Sequence, residues 1–501
     1  MKRAWNRWPG YAVLALVLTL MLIEWFRIVP ASAITFPSFL ELREELIRLT
    51  LDRTSQTCGV IVLCLYHLAF LWVKAGRRRV FFGGNLRLWR SLELGDWLKL
   101  IPFVCAAFRF VAGWHLIPVS GDRANLIAGF DQSTNALVLL AGIVLSQIVE
   151  ELSTRNTQLR LSLAQTSFIV LVGFLAIVSL TQLDDSFKYT YRGERRASGL
   201  WVSPNTYGLL MGAGLVLSLA CISQAYRLRP ASQSSDEPER NDRSSVSTVI
   251  TRNTKWISIT LMLLSGAVAA LFVASLLRSY SRGAWLATLA GLVYFCFQTT
   301  CSASRSNCEM RRISRLNNLL TWLRRNFWVG AVVCTSLLLI VTSRSMNTEQ
   351  LLVRRAISAA NVNDFSWRNR VAAWEGALQI MADHPFVGVG WHRISREFEY
   401  FYVPSKLAEH SSIIVNDYLT LGMALGIPAL LCFAALIWIS FRNPPTHRFE
   451  RHWTVTASRS ALIILLVGFW FDGGLFKLAL AAPFWLFLEL AIPRHLQPNE
   501  N

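Results

Sequence analysis

Arginine residues stand in short segments between long apolar runs, where a charged side chain is costly unless it has a partner. The densest group is Arg192, Arg195 and Arg196, shortly before an apolar run that begins near residue 205. A guanidinium presents a planar fork of donors that matches two phosphate oxygens, whereas an ammonium is a point charge. The pattern therefore predicts a site for a pyrophosphate or another strong anion, with Arg196 as its first candidate.

The residues after this group predict a helix N-terminus. Pro204 suits a first helical turn because it lacks only an N–H that would be unpaired there, and Ser203 can cap the helix. Free N–H groups and the positive dipole end attract anions, so we expect Asn205 and Arg196 to share one anion. Contact of Arg195 and Arg196 with lipid phosphates alone is the alternative interpretation.

A second basic group lies in a short turn between two strongly apolar runs. Arg278 ends the first run, and Arg282 is followed at once by Gly283. A turn this short keeps Arg282 close to the bilayer surface, and a glycine permits close helix approach. We favour anion binding by Arg282 over the alternative, a side chain that only extends to the lipid headgroups.

A third group begins an amphipathic segment. Between Ser366 and Asp383, the apolar residues Val371, Trp374, Leu378 and Met381 recur at helical spacing, and Pro385 follows. Arg368 and Arg370 lie at its start, with Ser366 as the expected cap. The sequence predicts a helix over the membrane face, either a lid on a bound substrate or a helix adsorbed on lipid.

The fourth group contains the candidates for accepting a proton from a hydroxyl. Glu409 and His410 precede an apolar run, and Asn416 and Asp417 stand where that run begins. A carboxylate or an imidazole can act as a general base. The sequence predicts that His410 or Asp417 has this role and that Asn416 binds substrate.

The composition indicates that these groups belong to a bundle of membrane-spanning helices. The chain has 501 residues, of which 53% are hydrophobic and 16% charged. Apolar stretches of roughly 17–25 residues recur, which is the length of a membrane-spanning helix. The prediction is an all-α, polytopic bundle of about twelve spans, at 11–29, 57–73, 98–118, 127–149, 163–181, 205–225, 256–277, 284–300, 327–343, 417–440, 458–473 and 478–492.

Loop charges orient this bundle, because cytoplasmic loops are rich in Lys and Arg. With twelve spans, the basic stretches fall on the side of the N-terminus, at Lys74–Arg90, Arg227–Lys255, Arg305–Arg325 and Arg442–Arg451. Segments 182–204 and 344–416 then face the opposite side. The same bias explains most of the net charge of +19, so nucleic-acid binding is disfavoured.

Several motifs are missing from the sequence. It has no G-x-x-x-x-G-K-[ST] loop for a nucleotide and no D-x-D pair for a metal-bound sugar nucleotide. Its Cys and His residues have no spacing typical of a zinc site. These absences disfavour an ATP-driven or nucleotide-sugar mechanism, and we expect no cofactor.

Together these residues resemble the O-antigen ligase and polymerase family of membrane glycosyltransferases. The similar segments lie between about Thr181 and Ser440, in matching order. They are Arg196-Ala-Ser-Gly with Ser203-Pro-Asn-Thr-Tyr-Gly, Ser281-Arg-Gly-Ala, Arg370-Val-Ala-Ala-Trp-Glu-Gly-Ala-Leu with His384-Pro-Phe-Val-Gly-Val-Gly, and Asn416-Asp-Tyr-Leu with Gly426-Ile-Pro.

The resemblance implies transfer of a glycan from undecaprenyl pyrophosphate to an acceptor hydroxyl, such as a lipid A core sugar or a growing glycan, in the bacterial inner membrane. Arg196 and Arg282 would hold the pyrophosphate at a periplasmic site, aided by Arg192, Arg195, Arg368 and Arg370. It also implies three regions: N-terminal spans at 1–180, a ligase-like core at 181–440 with the periplasmic loop 344–416, and C-terminal spans at 441–501.

One departure from the family pattern leaves alternatives open. Ligases usually have His directly before the Asn-Asp pair, and this chain has Val415 there. His410, Glu409 or Asp417 could replace it, or the chain could be a polymerase. A transporter or flippase for a lipid-linked glycan and a non-catalytic assembly subunit are the alternatives from other classes.

Overall fold

The chain folds into packed α-helices with one β-hairpin, over the residues that its computed structural model describes. These are residues 8–28, 53–82, 93–113, 123–155, 157–183, 188–191, 194–201, 203–227, 244–306, 365–391, 393–402, 416–442, 449–471 and 473–492.

The helices follow the apolar runs and are joined by polar segments, and a short hairpin precedes the sixth helix. In chain order they are α1 Trp8–Ile28, α2 Arg53–Phe82, α3 Leu94–Ala112, α4 Arg123–Arg155, α5 Thr157–Thr181, β1 Lys188–Tyr191, β2 Glu194–Ala197, α6 Pro204–Arg227, α7 Ser244–Arg278, α8 Arg282–Ser306, α9 Phe365–Asp383, α10 Ile394–Glu397, α11 Asp417–Leu425, α12 Ile427–Arg442, α13 Phe449–Phe471 and α14 Leu478–Ala491.

Length and composition make this a multi-pass membrane protein. Within the described ranges, six helices are long and apolar enough to cross a bilayer, and shorter apolar helices accompany them. Large apolar side chains also point outward, such as Trp72 on α2 and Phe297 on α8. The six candidate spans are Thr54–Gly76, Thr134–Thr154, Leu163–Thr181, Pro204–Ala225, Ser258–Arg278 and Trp453–Phe471.

The predicted spans fall on these helices, with two differences. The segment 327–343 lies outside the described residues, so the count of twelve spans stays a prediction. The segment 417–440 is two helices, because Gly426 has a left-handed backbone (φ 87°) that ends α11. Of these two, α12 is apolar along its length.

Two predicted loops contain regular structure. The basic stretch Lys74–Arg90 was expected to be a loop, but α2 continues to Phe82, so Lys74 is helical. The segment 182–204 contains an antiparallel hairpin in which Tyr191 pairs with Glu194. The predicted loop 344–416 is described only in part, where it contains α9 and α10.

The centre of the bundle is formed by α6 and α13. Helix α6 packs against α7, α8 and α13, and α13 packs against α8 and α14. At Gly291 of α8, a Cβ would lie 2.8 Å from the Ser460 carbonyl oxygen of α13. Small residues at such contacts let membrane helices approach closely.

The bundle has two ends that differ in chemistry. The site end contains the starts of α6, α8 and α11 and the turn between α13 and α14. The network end contains Lys74, Asp96, Lys99, Glu150 and Glu489, which belong to α2, α3, α4 and α14. Helix α5 runs between the two ends, because Thr157 follows α4 and Gln182 accepts hydrogen bonds from Ser198 and Gly199 near the hairpin.

Candidate active site

The hairpin directs Arg196 toward the turn between α7 and α8. Arg196 pairs with Tyr189 across the hairpin, and its Nε donates to the Ser279 carbonyl oxygen at 3.0 Å. Successive strand residues point to opposite faces, so the exposed Arg195 lies on the other face. Arg195, which is predicted to bind substrate, therefore lies on the opposite face of the hairpin from Arg196.

The turn that receives Arg196 is tightly built. Tyr280 has a positive φ of 50°, the one such value among the described non-glycine residues. Ser281 caps α8, since its Oγ accepts from the Ala284 N–H at 3.2 Å. Arg282 is therefore the first residue of α8 and is half-buried.

The predicted start of α6 is confirmed. Helix α6 begins at Pro204, and the Ser203 Oγ accepts from the Thr206 N–H at 3.3 Å. One turn later, a Cβ at Gly208 would lie 2.8 Å from the Ala284 Cβ. The first turns of α6 and α8 are therefore in contact.

Two helix N-termini and a guanidinium thus meet at the site end. Each N-terminus carries about half a positive charge, and the Arg196 guanidinium, held at the Ser279 carbonyl oxygen, adds a further positive charge. The half-buried Asn205 lies in the first turn of α6, and Arg278 is the last residue of α7. The region is suited to an anion with several oxygens.

Asn416 caps α11. Its Oδ1 accepts from the backbone N–H groups of Tyr418 (3.0 Å) and Leu419 (3.2 Å), and the residue is fully buried. Its Nδ2 has no hydrogen-bond partner among the described residues. The side chain therefore uses its oxygen for the fold and keeps a buried donor for another group.

Asp417 contacts the turn between α13 and α14. Its Oδ2 accepts from the N–H groups of Gly474 (2.5 Å) and Leu475 (2.6 Å). The residue precedes the apolar helix α12, and burial raises the pKa of its carboxyl to about 6, although both N–H groups and the Lys477 ammonium lower it. A carboxyl with this pKa can exchange a proton near neutral pH.

The acidic and basic groups lie at the same end of the bundle. The Tyr418 hydroxyl donates to the Leu466 carbonyl oxygen of α13 at 2.7 Å. Two residues further along α13, Gly468 packs directly against Leu209 of α6, the neighbour of Gly208. Asp417 and the arginine group are therefore connected indirectly, through α13 and α6.

Helix α9 lies over α11, and its predicted apolar stripe is divided. Trp374 packs edge-on against Trp470 of α13, with ring centroids 5.5 Å apart, and Met381 is buried. Val371 and Leu378 are 44% and 56% exposed. The buried face instead contains small residues, because α9 lies close to α11 and to the segment 398–402.

Most other predicted residues of this region are on α9 or outside the described residues. Helix α9 begins at Phe365, so Ser366 and Arg368 lie in its first turn and Ser366 does not precede the helix. Arg370 is half-buried in the same helix. The remaining predicted residues, Arg192, Glu409 and His410, lie outside the described residues.

Sequence reasoning missed two cations at this end. Lys477 is half-buried beside Asp417, and the only signal for it was the pair Gly473-Gly474 ahead of an apolar run. Arg109 donates from Nε to the Val387 carbonyl oxygen at 2.8 Å, and its Nη2 donates to that of Gly388. Among the described residues, no group of His, Cys, Asp and Glu could hold a metal ion.

A comparison with protein families gives a match within the second half of the chain. Residues 267–434 match the family model described as O-Antigen ligase. The matched range includes Arg282, Arg370, Asn416 and Asp417, whereas Arg196 lies before it. No curated protein matches the chain. This match confirms, over residues 267–434, the family resemblance drawn from the sequence.

Proposed function

We propose that this chain transfers a glycan from undecaprenyl pyrophosphate to an acceptor hydroxyl at the periplasmic face of the bacterial inner membrane. In this proposal the ligase-like core spans residues 181–440, between N-terminal spans at 1–180 and C-terminal spans at 441–501. The reaction uses no metal and no nucleotide. The family match supports polysaccharide assembly, and the donor and acceptor are our inference from the site.

One observation carries this proposal: the contact between the first turns of α6 and α8, with Arg196 bound to the turn beside them. Gly208 permits that contact, and Ser279 accepts from Arg196. A pyrophosphate has enough oxygens to bind the Arg196 and Arg282 guanidiniums and both helix N-termini together. Such donors are aimed before the reaction, so they need not reorganise as charge develops.

The chemical step is a displacement at the anomeric carbon. The bond from that carbon to the phosphate oxygen breaks, and a bond to the acceptor oxygen forms. The pyrophosphate leaves with the electron pair of the broken bond, and Arg196 and Arg282 stabilise its charge. The hydroxyl proton passes to a general base.

Asp417 and His410 are the proposed bases. The buried Nδ2 of Asn416, next to Asp417, is suited to hold an acceptor or donor oxygen. Asp417 uses Oδ2 for two backbone N–H groups, which leaves Oδ1 to take the proton. Arg195, Arg192, Asn205, Arg368 and Arg370 are proposed to contact other parts of the donor.

The test is glycan transfer by protein in liposomes that contain a labelled lipid-linked glycan and an acceptor. We expect Arg282→Ala to lower transfer about 10²–10³-fold, the cost of removing one aimed donor. The matched control is Arg442→Ala, an exposed arginine at the far end of α12, which should retain transfer. Lipid movement between leaflets without bond cleavage would show a flippase instead.

The acceptor separates ligase from polymerase. In a deletion strain, long glycans that lack a lipid anchor would indicate a ligase, and single repeat units would indicate a polymerase. Normal surface glycan in a strain with both Arg196→Ala and Arg282→Ala would instead indicate a non-catalytic assembly subunit.

A further inference from the structure

The loop after α9 exposes two apolar side chains. Phe386 is 76% exposed and Val387 is 45% exposed, between the polar His384 and the buried Val389. Exposed apolar groups of this size on an ordered loop mark a contact surface. The question is which partner covers them.

Backbone hydrogen bonds hold this loop against α3, α11 and α12. The Pro385 carbonyl oxygen accepts from the N–H of Ile427, the first residue of α12, at 2.7 Å. The Val389 N–H donates to the Met423 carbonyl oxygen at 2.7 Å. Arg109, near the end of α3, donates to the carbonyl oxygens of Val387 and Gly388. The loop is therefore fixed at the level where α3 ends and α12 begins.

Two of the helices that hold the loop, α3 and α12, also expose apolar side chains. On α12 the exposed residues Leu431 and Trp438 are seven apart, and a similar row on α3 leads toward Arg109. Outward apolar rows of a membrane bundle contact lipid chains. The row on α3 consists of Ile101, Val104, Phe108 and Val111.

Positive charge lies beside this apolar tip. Arg393 is exposed and lies close enough to Arg109 for the two charges to repel each other. At the end of membrane helices, an apolar tip can contact the acyl chains of a leaflet while guanidiniums next to it contact the headgroup phosphates. A guanidinium is also well shaped to bind a phosphate.

We propose that residues 385–388 form a lipid anchor, in which Phe386 and Val387 enter the leaflet and Arg393, beside Arg109, binds the headgroup phosphate of an anionic phospholipid. The anchor holds the C-terminal end of α9 at the membrane surface. It depends only on the chain being membrane-embedded, and it stands whether or not the chain transfers a glycan.

The depth of the anchor is measured with a fluorescent amino acid at position 386, in nanodiscs whose lipids carry bromine near the top of the acyl chain. We expect quenching within about twofold of that at position 108, on the lipid-facing row of α3. Position 379, exposed on α9, is the control outside the anchor and should be quenched less. Quenching at 386 by aqueous iodide but not by brominated lipid would overturn the proposal.

The headgroup contact is tested in zwitterionic nanodiscs with an equal small fraction of brominated phosphatidylglycerol or brominated phosphatidylcholine. At position 386 we expect stronger quenching by the anionic lipid, and loss of that preference in Arg393→Gln. Arg442→Gln, at the other end of α12, is the matched control and should keep the preference. Equal quenching by both lipids, or an unchanged preference in Arg393→Gln, would contradict the phosphate contact.

Discussion

The two ends of the bundle hold charge in opposite ways. At the network end, Lys74 pairs with Asp96 at 2.5 Å and with Glu150 at 2.6 Å. Lys99 pairs with Glu150 at 2.8 Å and also with Glu489. At the site end, Arg196 and Arg109 donate to backbone carbonyls, and Asp417 accepts from backbone N–H groups.

This difference separates charged groups that are joined to one another from charged groups that are hydrogen-bonded to the backbone. Ion pairs at the network end join two lysines to three carboxylates and connect α2, α3, α4 and α14 across long sequence distances. A hydrogen bond to a backbone group fixes the position of a charged side chain and, unlike an ion pair, adds no opposite charge. We propose that side chains held in this way attract the pyrophosphate and exchange the proton, which a buried ion pair cannot do without breaking.

Asp417 gives the largest expected effect. The groups that donate to its carboxylate are backbone N–H groups, and its pKa is raised to about 6. A general base is active when deprotonated. Transfer should therefore rise with pH through about 6 and then become constant. We expect Asp417→Asn to lower transfer about 10²–10⁴-fold and to remove this rise. A pH series of transfer rates in liposomes measures both.

The same series separates the two proposed bases. If the rise near pH 6 persists in Asp417→Asn and disappears in His410→Gln, the base is His410, and Asp417 only positions the turn at Gly474.

Lys99 tests the network end. Lys99→Met should lower the free energy of unfolding by about 3–5 kcal/mol, because Glu150 and Glu489 lose a buried partner. Thermal unfolding in detergent measures the loss, while transfer per folded molecule should stay unchanged. Lys74→Met is the control with the more exposed side chain, at 14% against 4%, and should cost less. A loss of transfer without a loss of stability would contradict a purely structural network.

A glycine at each end of the bundle tests how much strain an added Cβ atom causes there. Gly388 has φ 63°, and a Cβ there would meet the Met423 carbonyl oxygen. We expect Gly388→Ala to cost about 1–3 kcal/mol of stability through strain, seen as faster hydrogen exchange at residues 385–390. Gly95, at the start of α3, has nothing within 4 Å of the Cβ position, so Gly95→Ala should not destabilise the protein. Equal losses at both positions would contradict this account.

Tyr402 gives the smallest expected effect. Its hydroxyl donates to the Asp383 Oδ2 at 2.6 Å, and this bond raises the pKa of Tyr402 to about 12. The stabilisation is complete below pH 10 and is lost as pH rises through 12. Tyr402→Phe should speed hydrogen exchange in residues 398–402 and leave transfer unchanged. Slower or equal exchange would show that the bond does not order this segment.

The sequence was sufficient to predict the helices and the ends that small polar residues define. Apolar length predicts a helix because only a helix satisfies its own backbone in lipid. The cap at Ser203 and the start at Pro204 were predicted because capping is local. The helix between Ser366 and Asp383 was predicted nearly to the residue from the helical spacing of its apolar residues and from Pro385, although Ser366 lies inside the helix and does not precede it.

Features that depend on contacts between distant segments could not be predicted. Lys74 pairs with Glu150, which is 76 residues away. The residues next to Lys74 in sequence are basic and suggested a loop, because they contain no sign of this distant partner. The division of the α9 stripe depends on which face α11 covers, and spacing within α9 does not contain that information. The roles assigned to Arg282, Asp417 and His410 remain predictions.

The register of the β1–β2 hairpin has a consequence for how this region tolerates change. Arg196 points to Ser279 only because it stands opposite Tyr189. A single-residue insertion between Tyr191 and Glu194 would shift the pairing by one and turn the neighbouring side chain inward instead. A change in the length of that connection should therefore redirect Arg196 even when every strand residue is kept.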